Sequence, residues 1–163
     1  ITVTCTSPSK TFNLAGLQLA NIIIKNPTVR RAFVHESRVS GYSELNVMGY
    51  VSTVAAYRNG GEWYDAMHEY IRKNAEYVKE FVDANLPKIR MINHEATYLV
   101  WLDFRKLGLS VDELDNKIIY QSRLWLDSGK IFGKSGEGFQ RINVACPRKI
   151  LEEAMKRLKE VFG

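Results

Sequence analysis

The sequence has 163 residues, of which 45% are hydrophobic and 25% are charged. These proportions are typical of a globular protein that can bury a core without disulfides or metal ions. It contains neither an apolar run of the roughly 20 residues that a membrane helix needs nor a secretory signal pattern, which excludes a membrane-embedded class. The net charge is +5, but basic and acidic residues are interspersed; we therefore expect no nucleic-acid partner.

The cysteines and histidines predict no metal site. Cys5 and Cys146 lie far apart in sequence and in different predicted strands. We expect them to be two reduced, buried thiols of a cytoplasmic protein. The three histidines have no metal-ligand spacing with either cysteine.

The first elements are two strands joined by a short connection. Residues 1–6 alternate β-branched side chains and predict a buried strand, and residues 16–25 predict a second strand. Ser7-Pro8-Ser9 interrupts this pattern, so Lys10 is expected on the connection between the strands. Because the sequence begins at Ile1, within a predicted strand, we expect a fragment of a longer protein.

Helices dominate the next part of the chain. Residues 28–36 and 45–57 predict helices, and residues 63–86 predict a long amphipathic helix that ends before Pro87. A helix of this length could connect two subdomains or could be an ordinary core helix. Periodicity does not distinguish these alternatives.

The last part predicts a compact α+β unit. A capping box of Ser110 and Glu113 opens a helix that extends to about residue 121. The remaining predicted elements are strands 89–92, 97–104, 124–126 and 139–145, a glycine-rich loop 129–138, and a final helix after Pro147. Residues 87–163 would therefore combine antiparallel strands with helices.

Lys10 is a candidate nucleophile. A lysine must lose its proton before it attacks a carbonyl, so burial or a nearby cation has to lower its pKa from about 10.4. The flanking hydroxyls of Ser7 and Ser9 could bond phosphate oxygens. The segment suits a cofactor that carries an aldehyde and a phosphate, although an ordinary surface turn has the same spacing.

Arg141 is a candidate carboxylate ligand. Side chains alternate faces along a strand, so Ile142 and Val144 would share one face and Arg141 and Asn143 the other. An arginine presented in this way can bind a carboxylate through two parallel hydrogen bonds. The alternative is an exposed arginine on a two-faced strand.

Two motifs carry a resemblance to a known family. Ser-x-Ser-Lys-x-Phe-Asn-x-x-Gly at residues 7–16 and Phe-x-Arg-x-Asn-x-Ala at residues 139–145 resemble pyridoxal-phosphate enzymes of the class I/II aminotransferase superfamily, fold type I. The similarity is greatest to the MalY/PatB branch, the cystathionine β-lyase-like C–S lyases. It implies an α/β fold and the C-terminal portion of such an enzyme. The divisions would be residues 1–61, a remnant of the large cofactor-binding domain; residues 62–86, a connecting helix; and residues 87–163, a small α+β domain.

The resemblance also implies roles for particular residues. Lys10 would be the catalytic residue and the covalent attachment point of pyridoxal 5′-phosphate, and Ser7 and Ser9 would hold its phosphate. Arg141 would bind the α-carboxylate of an amino-acid substrate. Gln18 stands where many aminotransferases carry a phosphate-binding arginine, which favours the lyase branch.

The expected activity is that of a C–S β-lyase acting on sulfur-containing amino acids, in a cytoplasmic homodimer. An aminotransferase, or a non-catalytic binding or regulatory module of the same fold, remains an alternative. In the family, the aspartate on the pyridine nitrogen and the aromatic that stacks on the ring precede the lysine. We therefore expect this chain alone to be inactive.

Overall fold

The computed structural model describes residues 1–42 and 44–163. The chain divides into two compact units, residues 1–67 and 68–163, and each is considered by itself below. The boundary between them lies within the helix Gly61–Asn85. The three-part division at residues 61 and 86 stays a prediction.

The first unit contains a two-stranded antiparallel sheet. β1 (Val3–Thr6) pairs with β2 (Asn21–Ile24), so that Val3 lies opposite Ile24 and Thr6 opposite Asn21. The prediction that the second strand starts at residue 16 was wrong. Residues 15–17 form a 3-10 turn, and Gln18 then adopts a left-handed φ of 52°, which extended strands do not accommodate.

Two helices follow in the first unit, α1 (Pro27–Val39) and α2 (Val47–Asn59). Each begins after an asparagine whose side-chain oxygen accepts backbone N–H groups of the first turn. Asn26 accepts from the residues at 28 and 29 at 2.9 and 3.1 Å, and Asn46 does the same at the start of α2. Such caps satisfy donors that have no partner within the helix, and both predicted helices are confirmed.

The second unit is built on a four-stranded antiparallel sheet. Its strands, in spatial order, are β3 (Arg90–Met91), β4 (Leu99–Asp103), β6 (Phe139–Asn143) and β5 (Asp127–Ser128). The predicted strand at 124–126 was wrong. The N–H of Leu124 is bonded back to the carbonyl of Ile118 at 3.0 Å, so pairing with β6 starts only at Asp127.

Helices cover this sheet. They are α3 (Gly61–Asn85), whose C-terminal part lies in this unit, α4 (Val111–Asn116) and α5 (Arg148–Phe162); a π-helical turn (Lys117–Gln121) continues α4. The predicted capping box is confirmed: Glu113 donates its N–H to the Ser110 hydroxyl, and its carboxylate accepts the Ser110 N–H at 2.8 Å. Among the described residues, no helix is both long and apolar enough to cross a bilayer.

The core of the second unit lies between one sheet face and the helices. Its fully buried side chains are contributed by α3, β4, the residue after β6, α4 and α5; among them are Val78, Val82, Val100, Leu102, Leu114, Val144, Leu151, Met155 and Leu158. Burial of this apolar surface is the main stabilising contribution to the unit. The predicted α+β organisation of this part of the chain is therefore confirmed.

The prediction of two buried thiols was wrong for Cys5. Cys5 lies on β1, and all four residues of that strand are exposed. Cys146 is half-buried, and burial raises the pKa of its thiol. Both cysteines are free.

Candidate functional site: a lysine turn and an arginine strand

Lys10 lies on the turn that connects β1 to β2, as the sequence predicted. The turn is closed by the N–H of Phe12, which donates to the Pro8 carbonyl at 2.9 Å, and by the N–H of Leu14, which donates to the Ser9 carbonyl at 2.9 Å. The Lys10 side chain is exposed. The burial that would activate its amine is therefore not supplied by the described residues.

The turn is anchored next to the lysine by an aromatic cluster. The Phe12 ring stacks on Trp63 with centroids 5.6 Å apart and meets Tyr57 edge-on at 6.5 Å. The ring also packs against Gly60, where an added Cβ would lie 2.5 Å from a ring carbon of Phe12. Offset and edge-on aromatic contacts of this kind favour one geometry. Lys10 is thus presented from a fixed turn.

The two predicted phosphate ligands are in contact with each other. The Ser7 hydroxyl donates to the Leu19 carbonyl at 2.8 Å, and its oxygen lies 2.5 Å from the Ser9 Oγ. Because a hydroxyl has one hydrogen, Ser9 is the donor in that second bond. Both hydroxyl hydrogens are used within the protein, so the Ser9 hydroxyl would have to rotate away from Ser7 to donate to a phosphate.

This donor set fits a cofactor such as pyridoxal phosphate. The exposed amine of Lys10 is accessible to an aldehyde, and Ser7 and Ser9 bring two hydroxyls together one and three residues before it. Hydroxyls are ordinary phosphate ligands because they donate to anionic oxygens. Among the described residues, no group of three or more His, Cys, Asp or Glu side chains could hold a metal ion.

Arg141 lies on the face of the sheet opposite to the core. Its neighbours in strand order, Gln140 and Ile142, are 1% and 3% exposed, whereas Arg141 is partly exposed. The alternation predicted from the sequence is therefore confirmed. Register places Trp101 of β4 on one side of Arg141 and Asp127 of β5 on the other.

The guanidinium of Arg141 has two partners that the sequence had not indicated. Its Nε and Nη2 donate to one oxygen of Asp127, Oδ2, at 3.0 and 2.6 Å. Its Cζ lies 4.5 Å from the ring centroid of Phe132, which meets Trp101 edge-on at 5.2 Å. Asp127 could have been found only from the register of β5 on β6, because β5 has two residues and was predicted elsewhere.

A cavity of about 250 Å³ adjoins Arg141 within the second unit. Its wall includes Trp101, Leu99 and the loop of residues 92–97. His94 belongs to this loop, and its buried Nε2 has no hydrogen-bond partner among the described residues. A cationic side chain at the edge of a cavity lined by both apolar and polar groups suits a small molecule that carries a carboxylate.

The predicted residues thus form two groups. Ser7, Ser9 and Lys10 lie together on one turn of the first unit. Arg141 belongs to the second unit, where it is grouped with Asp127 and Phe132.

Comparison with known proteins identifies relatives along the whole chain. The sequence model of the family Aminotransferase class I and II matches residues 1–158. The chain is 40% identical to cystathionine β-lyase PatB of Bacillus subtilis over 163 residues and 34% identical to the protein MalY of Escherichia coli over 154 residues. These matches cover 100% and 94% of the chain but only 42% and 40% of the two relatives.

A solved structure agrees with this match. Cystalysin from Treponema denticola, which contains a pyridoxal 5′-phosphate cofactor, superimposes with a TM-score of 0.93 at 38% identity. The superposition covers 98% of the chain and 40% of the cystalysin chain. The chain therefore spans less than half the length of the relatives it matches.

Proposed function

Because the chain belongs to the class I and II aminotransferase family, we propose that the whole protein is a pyridoxal-phosphate-dependent C–S β-lyase acting on a sulfur-containing amino acid. The family and the aminotransferase-type α/β fold predicted from the sequence are confirmed. The lyase activity is supported by the 40% identity to cystathionine β-lyase PatB over the full chain. The Gln18 that replaces an arginine of many aminotransferases supports the same choice.

Lys10 carries the proposed chemistry. Its amine would attach the cofactor covalently and, once displaced by the substrate's amino group, would take a proton from Cα as a general base. The bound cofactor supplies an electron sink for the negative charge that develops at Cα. The contact between Ser7 and Ser9, beside an exposed amine on an anchored turn, is the observation that carries this assignment.

Ser7 and Ser9 would hold the cofactor phosphate. The hydrogen of the Ser7 hydroxyl is used in its bond to the Leu19 carbonyl, so we expect the Ser9 hydroxyl, after it rotates away from Ser7, to donate the hydrogen bond to the phosphate. The backbone N–H of Ser9 already points at the Ser7 oxygen at 3.2 Å. The two residues would therefore act as one unit.

Arg141 would bind the substrate α-carboxylate. Its guanidinium is a planar, permanently charged hydrogen-bond donor, and it lies beside a cavity large enough for an amino acid. Two parallel hydrogen bonds from its guanidinium would fix the carboxylate end of the amino acid. We also propose that the active form is a homodimer of cytoplasmic location, which light scattering and cell fractionation would test.

The decisive experiment traps the cofactor and follows the products. The whole protein, loaded with pyridoxal 5′-phosphate, is reduced with borohydride and digested, and mass spectrometry locates the modified lysine. We expect the label on Lys10, and we expect L-cystathionine to yield pyruvate, ammonia and a thiol. Lys10→Ala should abolish both results, whereas Lys25→Ala, at another exposed lysine of the same unit, should leave them unchanged.

The products separate the lyase from the aminotransferase. A transaminase would consume an added 2-oxo acid and release an oxo acid that keeps the sulfur side chain, without free thiol. Label on a lysine other than Lys10 would contradict the proposed site. Absence of both thiol and oxo acid from a correctly labelled protein would favour the non-catalytic alternative.

A further inference from the structure

A single carboxylate oxygen of Asp127 holds the guanidinium of Arg141. A guanidinium has five N–H donors, and Asp127 Oδ2 accepts one from Nε and one from Nη2. These two donors form one edge of the guanidinium. The adjacent edge, formed by Nη1 and the second hydrogen of Nη2, has no partner among the residues that the structure describes.

The Phe132 ring also contacts the Arg141 guanidinium. The ring lies 4.5 Å from the Arg141 Cζ and is itself held edge-on by Trp101. A cation over an aromatic face is attracted by the ring quadrupole. The hydrogen bonds to Asp127 and the contact with Phe132 together restrict the rotation of a long and otherwise flexible side chain before any ligand arrives.

The register of the sheet explains why these groups meet. Asp127 pairs directly with Arg141 across β5 and β6, and directly opposed residues share a face with Cβ atoms about 5 Å apart. Trp101 pairs with Arg141 across β4 and β6 on the other side. The three side chains therefore form a row that follows from strand pairing.

We propose that Asp127 is a positioning residue for the substrate: it occupies the Nε–Nη2 edge of Arg141 and leaves the Nη1–Nη2 edge free for two parallel hydrogen bonds to the α-carboxylate. This inference rests on the proposed function, because it takes the amino-acid carboxylate as the ligand of Arg141. Asp127 also partly neutralises the positive charge of Arg141, which by itself weakens attraction of a carboxylate. The orienting effect and the charge effect of Asp127 therefore predict opposite changes in carboxylate affinity when Asp127 is removed. If orientation dominates, removing Asp127 weakens carboxylate binding; if charge dominates, removal strengthens it.

The test compares variants of the whole, cofactor-loaded protein. Binding of 3-(methylthio)propionate, which has the carboxylate but no amino group to react with the cofactor, is measured by calorimetry. Asp127→Ala should weaken its binding by about tenfold, the loss expected for roughly one charge-assisted hydrogen bond. Asp127→Asn keeps an acceptor oxygen and should restore most of the affinity.

Kinetics and a double-mutant cycle complete the test. With S-methyl-L-cysteine, Asp127→Ala should raise KM more than it lowers kcat, whereas Asp112→Ala, at a largely exposed aspartate, should change neither. In an Arg141→Ala background, Asp127→Ala should have no further effect on binding, because a positioning residue acts only through its partner.

The outcomes separate this inference from the proposed function. Tighter or unchanged binding by Asp127→Ala, or an effect that persists without Arg141, would overturn the positioning role even if Lys10 carries the cofactor. If Arg141→Ala itself leaves 3-(methylthio)propionate binding unchanged, both the carboxylate role and the inference fail. Failure of borohydride to label Lys10 would instead overturn the proposed function.

Discussion

The Nε of Arg148, at the start of α5, donates a hydrogen bond of 2.8 Å to the Oδ1 of Asn74 in the long helix α3. The Asn74 amide nitrogen donates in turn to the carbonyls of Val144 and Cys146 at 2.8 and 2.9 Å. Asn74 is 1% exposed. One buried amide therefore connects α3 to the segment between β6 and α5, directly after the strand that carries Arg141.

We predict that Asn74→Ala destabilises the protein by about 3 kcal/mol, because it removes three hydrogen bonds and leaves buried partners unsatisfied. Urea unfolding followed by circular dichroism measures the change. Asn93→Ala is the control: Asn93 is exposed and bonds only to Glu95 among the described residues, so its replacement should cost little. Equal effects of the two substitutions would show that Asn74 does not have this connecting role.

Replacement by alanine of the two serines at the ends of one helical segment should change the free energy of unfolding differently. Ser110 caps α4 and forms the capping box with Glu113, so Ser110→Ala should cost about 1 kcal/mol. Ser122, after the π-helical turn, is 1% exposed and its hydroxyl has no partner among the described residues. Because a buried hydroxyl without a partner is unfavourable, Ser122→Ala should be neutral or stabilising in the same unfolding experiment. A cost for Ser122→Ala equal to that of Ser110→Ala would mean that the Ser122 hydroxyl is bonded.

Asp103 should make the protein sensitive to acid. This buried carboxylate accepts hydrogen bonds from the side chain and backbone N–H of Arg105 and from the side chain of Arg90. These bonds lower the pKa of Asp103 to about 2. A carboxyl with a lowered folded-state pKa stabilises the protein above its unfolded pKa, and this stabilisation is lost as the pH falls from about 4 to about 2. Because both arginines are largely exposed, we expect the ionised Asp103 to contribute only about 1 kcal/mol to the free energy of unfolding.

The measurement compares unfolding free energies of the protein and of Asp103→Asn between pH 7 and pH 2. Other acids also titrate in this range, so the prediction concerns the difference, which should be largest at neutral pH and shrink below pH 4. Asp112→Asn, at an exposed position, is the matched control and should give a small difference that changes little with pH. A difference for Asp103→Asn that is constant with pH would contradict the prediction.

The sequence indicated those features that depend on local patterns. The alternation around Arg141 gave the two faces of β6, because side-chain direction on a strand has a period of two. Ser110 and Glu113 gave the start of α4, because a capping box is a local motif. The family was recognised from two short motifs, and the match over residues 1–158 agrees with it.

Features that depend on pairing between distant segments were missed. The partnership of Asp127 with Arg141 follows from the register of β5 on β6, and a two-residue strand has no recognisable pattern of its own. The apolar residues around 16–20 suggested a strand, but the left-handed Gln18 and the 3-10 turn before it delay pairing until Asn21. In the same way, Cys5 was expected to be buried because its strand is rich in β-branched residues, although the described residues leave that strand exposed.

The 163-residue chain by itself should not catalyse β-elimination. Its Lys10 side chain is exposed, so the described residues provide no shielded site that would protect the cofactor from water. Mixed with pyridoxal 5′-phosphate and S-methyl-L-cysteine, the chain should form pyruvate no faster than the free cofactor in buffer does. A chain carrying Lys10→Ala is the control and should give the same background rate, while the whole protein provides the positive reference. Steady pyruvate formation that depends on Lys10 and approaches the rate of the whole protein would contradict this prediction, since the chain would then hold a complete site.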